Sequence, residues 1–308
     1  MPSAPRASDR AGLLAGVAAY GLWGALPLYF PLLEPAGAVE IIAHRVVWSL
    51  LLCAVLLTAT RTWPPLVTTL RSARTMGLLA VAAVLLAANW LIFVFGTLTD
   101  RVVDAALGYY INPLVTVALA VLVLHERLRP LQRTALGFGA AAVVVIALGY
   151  GQVPWIALGL ALSFAGYALL KNLVGRNVGA VPGLAAETLV LTPAALVYLV
   201  VLGAIGTGSF ATAGGWHALA LASSGVVTAV PLLLFNTAAR RLPLSVVGML
   251  QYITPTIQLL LGVLVLHEHM PPARWWGFAL VWAALLVLTL DGLRSARRPR
   301  LRPVTERP

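Results

Sequence analysis

The sequence predicts an all-α integral membrane protein with ten transmembrane helices, and three observations support this class. Of its 308 residues, 60% are hydrophobic and only 10% are charged, whereas about a quarter of a soluble domain is charged. Ten apolar runs are each about 20 residues long, the length that crosses a ~30 Å hydrocarbon core. Lys and Arg gather on one side of the resulting chain path. An ordinary water-soluble enzyme is therefore excluded.

The ten apolar runs follow one another with little chain between them. Their connections are rich in Pro, Gly and charged residues, which favour turns. Pro31 and Gly37 bound the first connection, and the stretch 60–74 holds three arginines and two prolines. The first run is not followed by a small-residue cleavage site, so we expect an uncleaved first helix rather than a signal peptide. The first five spans are 11–31, 39–60, 75–97, 102–124 and 131–150, and the second five are 154–173, 183–203, 215–238, 244–266 and 273–292.

The basic residues predict the topology of these spans. Eighteen of the 21 Lys and Arg residues fall on the side of the N-terminus, Arg101 and Arg274 fall on the other side, and Arg45 lies within a span. Because short cytoplasmic loops collect Lys and Arg, we expect both tails, 1–10 and 293–308, in the cytoplasm. The net charge of +11 then reflects topology, and no nucleic-acid partner is expected.

A duplicated pattern divides the chain into two halves. Shifting the sequence by 142 residues aligns Tyr-Ile-Asn-Pro at 110–113 with Tyr-Ile-Thr-Pro at 252–255, and Val-Leu-Val-Leu-His-Glu at 121–126 with the same six residues at 263–268. Each half, 11–150 or 154–292, has five spans. Because five is odd, the two copies enter the membrane from opposite sides. Such inverted repeats are typical of carriers that work by alternating access.

Four stretches carry a resemblance to a known family: Glu40–Ser49, Asn89–Leu91, Gly108–Leu114 and Gln251–Thr256. With the ten-helix duplicated plan, they resemble the RarD type of permease, the chloramphenicol-sensitivity type of the EamA family in the drug/metabolite transporter superfamily. The resemblance implies a carrier of the bacterial plasma (inner) membrane with a central cavity between two five-helix halves. It implies no particular substrate, since the family transports amino acids, sugars, nucleotide derivatives and drugs.

The second span holds the main cluster of polar side chains. Glu40, His44 and Trp48 are four residues apart and share one helical face, while Arg45 lies about 100° around from His44. Charged groups at membrane depth normally face the bundle interior or a wet cavity. We therefore expect this group to line the route of an anionic or zwitterionic solute or to relay a proton. The alternative is a structural ion pair between Glu40 and Arg45.

Neutral polar and aromatic residues extend the candidate site. They serve either as contacts between helices or as ligands of the solute. Pro113 and Pro255 each free a carbonyl one turn back, so we expect matching helix breaks in the two halves, which point to a transporter site. The tyrosines beside these prolines stack on a solute or belong to the core. The candidates for the substrate pathway are Asn89, Trp90, Tyr110, Asn112, Asn236, Gln251 and Tyr252.

Two carboxylates are candidates for proton coupling. Glu187 has no basic residue within its own span and is read as a lone buried carboxylate, with Glu40 as the second candidate. Lys171 ends the preceding span, and we expect it to extend to the inner interface. The His-Glu pairs at 125–126 and 267–268 are read as caps of helix ends rather than metal ligands, because adjacent side chains on a helix point to different faces.

The leading hypothesis is a secondary carrier for a small polar metabolite or drug-like solute, with proton coupling left open. The chain contains no phosphate-binding loop and no common hydrolytic motif, so no catalytic residue and no cofactor is assigned. The one cysteine, Cys53, forms no intrachain disulfide and no metal site. The alternatives are a membrane-embedded enzyme that uses Glu40, His44 and Arg45, or a passive channel. The expected partners are the solute and the lipid bilayer, and a homodimer is left open.

Overall fold

The computed structural model describes residues 7–125, 128–174 and 178–297. Ten of its helical segments are long and apolar enough to cross a membrane, which confirms the predicted number of spans. Glu126, which we expect to cap a helix, lies outside the described residues. The α-helices are α1 (Ala7–Tyr29), α2 (Ala38–Thr60), α3 (Trp63–Arg71), α4 (Ala73–Leu98), α5 (Val102–Leu124), α6 (Pro130–Tyr150), α7 (Trp155–Val174), α8 (Ala180–Ala204), α9 (Ser209–Thr212), α10 (Gly215–Arg241), α11 (Leu244–Leu250), α12 (Ile253–Leu260) and α13 (Pro272–Arg297).

Residues at the helix ends explain several of these bounds. Pro130 and Pro272 begin α6 and α13, where the missing N–H of proline leaves no hydrogen bond unmade. Gly151, with φ of 67°, ends α6. His125 and His267 both have φ near 55°, so the repeated Leu-His-Glu sequence ends its helix in the left-handed conformation in both halves.

The structure departs from the sequence prediction at two connections and at one proline. The stretch between the second and third spans contains α3, and the stretch before α10 contains the short α9. α5 continues through Pro113, whereas the ninth span breaks at Gln251 and Tyr252, between α11 and α12. The matching helix breaks expected from the two prolines are therefore wrong for the first half.

Unit 1 comprises residues 1–112 and 155–269 and holds the candidate site. In this unit α2 packs on α8 and α10, α4 on α7, and α1 on α10 and α12. α2 and α10 approach so closely that a Cβ added at Gly225 would lie 2.6 Å from the backbone of Trp48. One apolar cluster closes the end where α2 begins, here called the α1–α2 end. Its members include Leu26, Phe30, Leu33, Ile41, Phe93 and Val94.

Unit 2 comprises residues 113–154 and 270–308, and its main contact is between α6 and α13. Small residues allow this approach, since Gly149 meets Ala273 and Gly277 meets Ile146. Within this unit Arg129 and Asp291 form an ion pair at 3.0 Å.

Candidate functional site

Arg45, on α2, is the central residue of the candidate site. Its exposed fraction is 3%, and its guanidinium carbon lies 4.3 Å from the centre of the Trp90 ring and 5.8 Å from that of Phe30. Its Nε donates a 2.7 Å hydrogen bond to the hydroxyl of Thr228 on α10. The Thr228 hydroxyl in turn donates to the carbonyl oxygen of Ser224 at 2.8 Å.

The guanidinium of Arg45 is incompletely satisfied. Its Nη1 is buried and has no hydrogen-bond acceptor among the described residues, and no described carboxylate forms an ion pair with it. Aromatic faces and one hydroxyl attract a cation, but they neither neutralise it nor use the planar fork of N–H donors that arginine presents to an anion. A buried charge in this condition is costly. An anion bound beside Nη1 would remove most of that cost.

Glu40 does not pair with Arg45, so the alternative prediction of a structural ion pair between these two residues is wrong. The Glu40 carboxylate accepts hydrogen bonds from the backbone N–H of Ser209 at 2.7 Å and from its hydroxyl at 2.9 Å. The Ser209 hydroxyl also meets Nε2 of His217 at 2.8 Å. All three residues are buried. Glu40 therefore joins the start of α2 to the α9 segment.

His44 and Trp48 lie on the face of α2 that Phe210 covers. The Phe210 ring stacks on His44 with centroids 4.8 Å apart and an interplanar angle of 20°, and it lies 6.2 Å from the Trp48 ring. Nε2 of His44 and Nε1 of Trp48 are buried without a hydrogen-bond partner among the described residues. This face therefore offers two further polar atoms beneath one aromatic ring.

Asn89 ties three helices together close to Trp90. Its amide nitrogen donates to the carbonyl of Leu160 and to Ser163 on α7, both at 3.1 Å. Its amide oxygen accepts from the Tyr109 hydroxyl at 3.2 Å. With these bonds made, Asn89 acts as a contact between α4, α5 and α7 rather than as an open ligand.

The remaining candidates lie elsewhere in unit 1 or are satisfied locally. Tyr110 and Tyr252 stack on each other at 6.4 Å and 19°, and the Tyr110 hydroxyl meets that of Thr256 at 2.7 Å. The Asn236 amide donates to the carbonyl of Leu232, one turn earlier in the same helix, at 2.8 Å. Of the two other candidates, Gln251 is half-buried and Asn112 is buried.

Glu187 is not a lone carboxylate, and Lys171 does not merely extend to the interface. Nζ of Lys171 lies 2.7 Å from the Glu187 carboxylate, whose exposed fraction is 1%, and the Tyr167 hydroxyl approaches the same carboxylate at 3.4 Å. The ion pair joins α7 to α8. Sequence reasoning missed it because Lys171 belongs to the preceding span and was expected to extend to the membrane interface.

Sequence reasoning also missed the partners on the second half of the chain. Thr228, Ser209 and Phe210 contact the α2 cluster across more than 160 residues, and nothing local in the sequence relates them to it. His217 contacts Ser209, eight residues earlier in the chain. The short stretch of turn-forming and polar residues before α10 predicts only a loop. A buried hydroxyl such as Thr228 has no sequence signal that separates it from other threonines bonded to their own helix.

Comparison with known proteins gives consistent results. A model of the EamA-like transporter family matches residues 153–290. Protein RarD of Streptomyces exfoliatus is 53% identical over 294 residues, which cover 96% of this chain and 93% of that protein. An uncharacterized transporter of Vibrio cholerae is 43% identical, over 94% of this chain and 96% of that protein. The chloramphenicol-sensitive protein RarD of Pseudomonas aeruginosa is 32% identical, over 95% and 98%.

One solved crystal structure shares the fold. It superimposes with a TM-score of 0.60 at 20% sequence identity and covers 94% of this chain and 100% of the other. At this level of identity the likeness concerns the arrangement of helices alone.

Proposed function

Because this chain belongs to the RarD type of the EamA family of membrane transporters, we propose that it is a secondary carrier of a small organic solute with an anionic group, held by Arg45. The chain is a multi-pass membrane protein with ten apolar spans. Alternating access to one site suits a duplicated helical bundle.

One observation carries the proposal: the guanidinium of Arg45 is buried without a carboxylate partner among the described residues and with Nη1 unbonded. A carboxylate or phosphate of the solute would accept from Nη1 and supply the missing negative charge. The aromatic faces of Trp90 and Phe30 would then contact the apolar part of the same solute. An anionic or zwitterionic metabolite fits this combination better than a sugar does.

The depth of the site agrees with a carrier. Arg45 lies seven residues past Ala38, about 10 Å along the axis of α2, and its long side chain extends to Thr228. Thr228 is thirteen residues past Gly215, about 20 Å along α10, close to the middle of that 27-residue helix. The guanidinium is therefore well inside the span. With the N-terminus in the cytoplasm, as the basic residues predict, the α1–α2 end faces outside.

The enzyme alternative has one specific observation in its favour, the contact between Ser209 and His217 beside Glu40. The direction of the hydrogen bonds argues against it. The Ser209 hydroxyl donates its proton to Glu40, so this proton is not directed to His217. When serine is a nucleophile, its hydroxyl donates a hydrogen bond to the histidine, which acts as the base, and the carboxylate orients the imidazole. The arrangement around Ser209 instead suits a structural network.

The test is a counterflow assay in vesicles that contain the purified protein. Labelled amino acids, hydroxy acids, sugar phosphates and uncharged sugars are compared, and exchange should be restricted to solutes with a carboxylate or phosphate. Arg45→Lys should lose most of this exchange, since a point charge does not replace the guanidinium fork. Arg129→Lys, in unit 2, is the matched control and should retain it. Equal exchange of uncharged sugars, or an unchanged Arg45→Lys protein, would contradict the proposal.

A further inference from the structure

Two carboxylates fasten the α1–α2 end of unit 1, and each joins one predicted half of the chain to the other. Glu40, in the first half, accepts from the backbone N–H and hydroxyl of Ser209 in the second half. Glu268, in the second half, accepts from the backbone N–H groups of Val102 and Val103 in the first half. The partners are 165 to 169 residues apart in sequence.

The N-terminal turn of α5 explains why Glu268 binds there. The first N–H groups of a helix have no partner within the helix, and the helix dipole favours an anion at this end. Val102 and Val103 are fully buried, so water does not take the place of the carboxylate. If Glu268 withdraws, two buried donors lose their acceptor.

Glu40 secures the short α9 segment in a similar way, and α9 carries Phe210. The Phe210 ring covers His44 and packs near Trp48, the neighbours of Arg45 on α2. Loss of the bonds between Glu40 and Ser209 would free this ring as well as the segment. The apolar cluster at the same end contains Phe30 and Phe93 and is contacted by Phe210. Within unit 1, these side chains thus lie between the α1–α2 end and Arg45.

We propose that Glu40 with Ser209, and Glu268 with Val102 and Val103, form the latch of the outer gate, and that this latch must open before solute passes between the outside and Arg45. This inference rests on the proposed function and on the cytoplasmic N-terminus. Glu40 and Glu268 are positioning residues: they hold α9 and the start of α5, and they do not contact the solute. Within unit 1, the two described ion pairs, Glu187 with Lys171 and Arg101 with Asp104, each lie inside one half of the chain and do not join the two halves.

The latch predicts a change in access that does not depend on solute recognition. A reporter thiol is introduced as Ser224→Cys, one turn before Thr228, in a Cys53→Ala background. A small impermeant thiol reagent is then applied from outside. Glu40→Ala and Glu268→Ala should each raise the labelling rate by roughly 10-fold or more, because a hydrogen bond to a charged group shifts an equilibrium by about that factor.

Controls separate the latch from general damage and from failure of the proposed function. Glu34→Ala, at an exposed carboxylate of the same end, should leave labelling unchanged. Arg45→Lys should also leave labelling unchanged while it loses most of the exchange of anions. If Arg45→Lys retains exchange but the two latch variants label faster, the latch stands and the solute proposal fails.

A second variant keeps the inference testable if the alanine variants fold poorly. Glu40→Cys is combined with Ser209→Cys and treated with a short bifunctional thiol reagent that is cleaved by reduction. The cross-linked carrier should lose both exchange and labelling of the reporter, and reduction should restore both. Unchanged labelling in properly inserted Glu40→Ala and Glu268→Ala proteins, or normal exchange by the cross-linked carrier, would overturn the proposal.

Discussion

Arg45 and Lys171 are both cations in the apolar spans of unit 1, and their surroundings differ in one respect. Lys171 has a carboxylate, Glu187, at 2.7 Å. Arg45 has a hydroxyl, two aromatic rings and no described carboxylate. A charge that is neutralised within the chain serves packing, whereas a charge left without a counter-ion is available to a ligand. The comparison supports a structural role for Lys171 and the proposed role of Arg45 in binding the solute.

The sharpest way to break this comparison is to give Arg45 a partner of the kind that Lys171 has. Thr228→Asp places a carboxylate where the hydroxyl now accepts from Nε of Arg45. The internal carboxylate would compete with the anionic solute for the guanidinium, so exchange of anions should fall by about 100-fold, on the scale of one charge-assisted contact. The measurement is counterflow in vesicles at matched protein content.

Thr228→Asn is the matched control, because it has the same shape without the charge. It should retain at least a tenth of the exchange. Membrane abundance should be normal in both variants. A Thr228→Asp protein that exchanges anions as well as Thr228→Asn does would show that Arg45 does not bind the solute's anionic group.

The converse experiment removes the partner from Glu187. Lys171→Met leaves a buried carboxylate without its cation, which typically costs about 3–5 kcal/mol in a buried pair. Because the Lys171 side chain is about a third exposed, solvent screening reduces this to roughly 1–3 kcal/mol. We expect a lower melting temperature in detergent and reduced membrane abundance, with normal exchange per inserted molecule.

The double variant Lys171→Met with Glu187→Gln should recover most of the lost stability, since no charge is then left buried. A proton-carrying role for Glu187 predicts a different pattern. Glu187→Gln alone would then keep exchange of labelled for unlabelled solute but lose accumulation driven by a pH gradient. That pattern would show that Glu187 carries the coupled proton. The ion pair with Lys171 would then have to break during each transport cycle.

The same comparison shows which features of the structure can be predicted from the sequence. The ten spans and the polar face of α2 follow from hydropathy and from the 3.6-residue period, which are local properties. Glu40 and Arg45 are both identified in this way. Their partners are not, because Ser209 and Thr228 come from the other half of the chain and only packing brings them to α2. The pair of Lys171 with Glu187 lies within the second half, but its residues belong to consecutive spans and are 16 residues apart in sequence, so it too is not a local feature of one helix.

A further test extends the comparison to Glu268, a carboxylate that accepts hydrogen bonds from the backbone N–H groups of Val102 and Val103. Burial raises the pKa of Glu268 from its ordinary value of 4.5 to about 7, against the opposing effect of the hydrogen bonds from Val103 and Val102. Glu268 follows the ninth span. The negative charges of Asp104 and Asp100 also raise its pKa, and His267 and His269 flank it in the sequence.

The sign of the effect on the outer latch follows from the pKa. In the open state Glu268 meets water and its pKa returns toward 4.5, so the closed state binds the proton more tightly. Closure is therefore most favoured below pH 4.5 and loses this contribution as pH rises through 7. Labelling of the Ser224→Cys reporter from outside should be up to about tenfold faster at pH 8 than at pH 6, after normalisation to Glu268→Gln. A wild-type ratio equal to that of Glu268→Gln would remove Glu268 from the pH response.

The smallest expected effect concerns the hydroxyl that orients Arg45. Thr228→Val keeps the volume of the side chain but removes the acceptor for Nε, so the guanidinium keeps its charge and loses its fixed direction. Loss of the neutral acceptor of a charged donor costs roughly 1–2 kcal/mol. Part of this cost is recovered when the Arg45 side chain shifts over the Trp90 ring. We expect the solute concentration for half-maximal exchange to rise about 3- to 10-fold, with the maximal rate nearly unchanged.

Thr228→Ser keeps the acceptor and should match the unmodified protein. If Thr228→Val instead lowers the maximal rate at unchanged half-saturation, Thr228 acts in the conformational change rather than in orienting Arg45, and the contrast with Lys171 would then rest on the missing carboxylate alone.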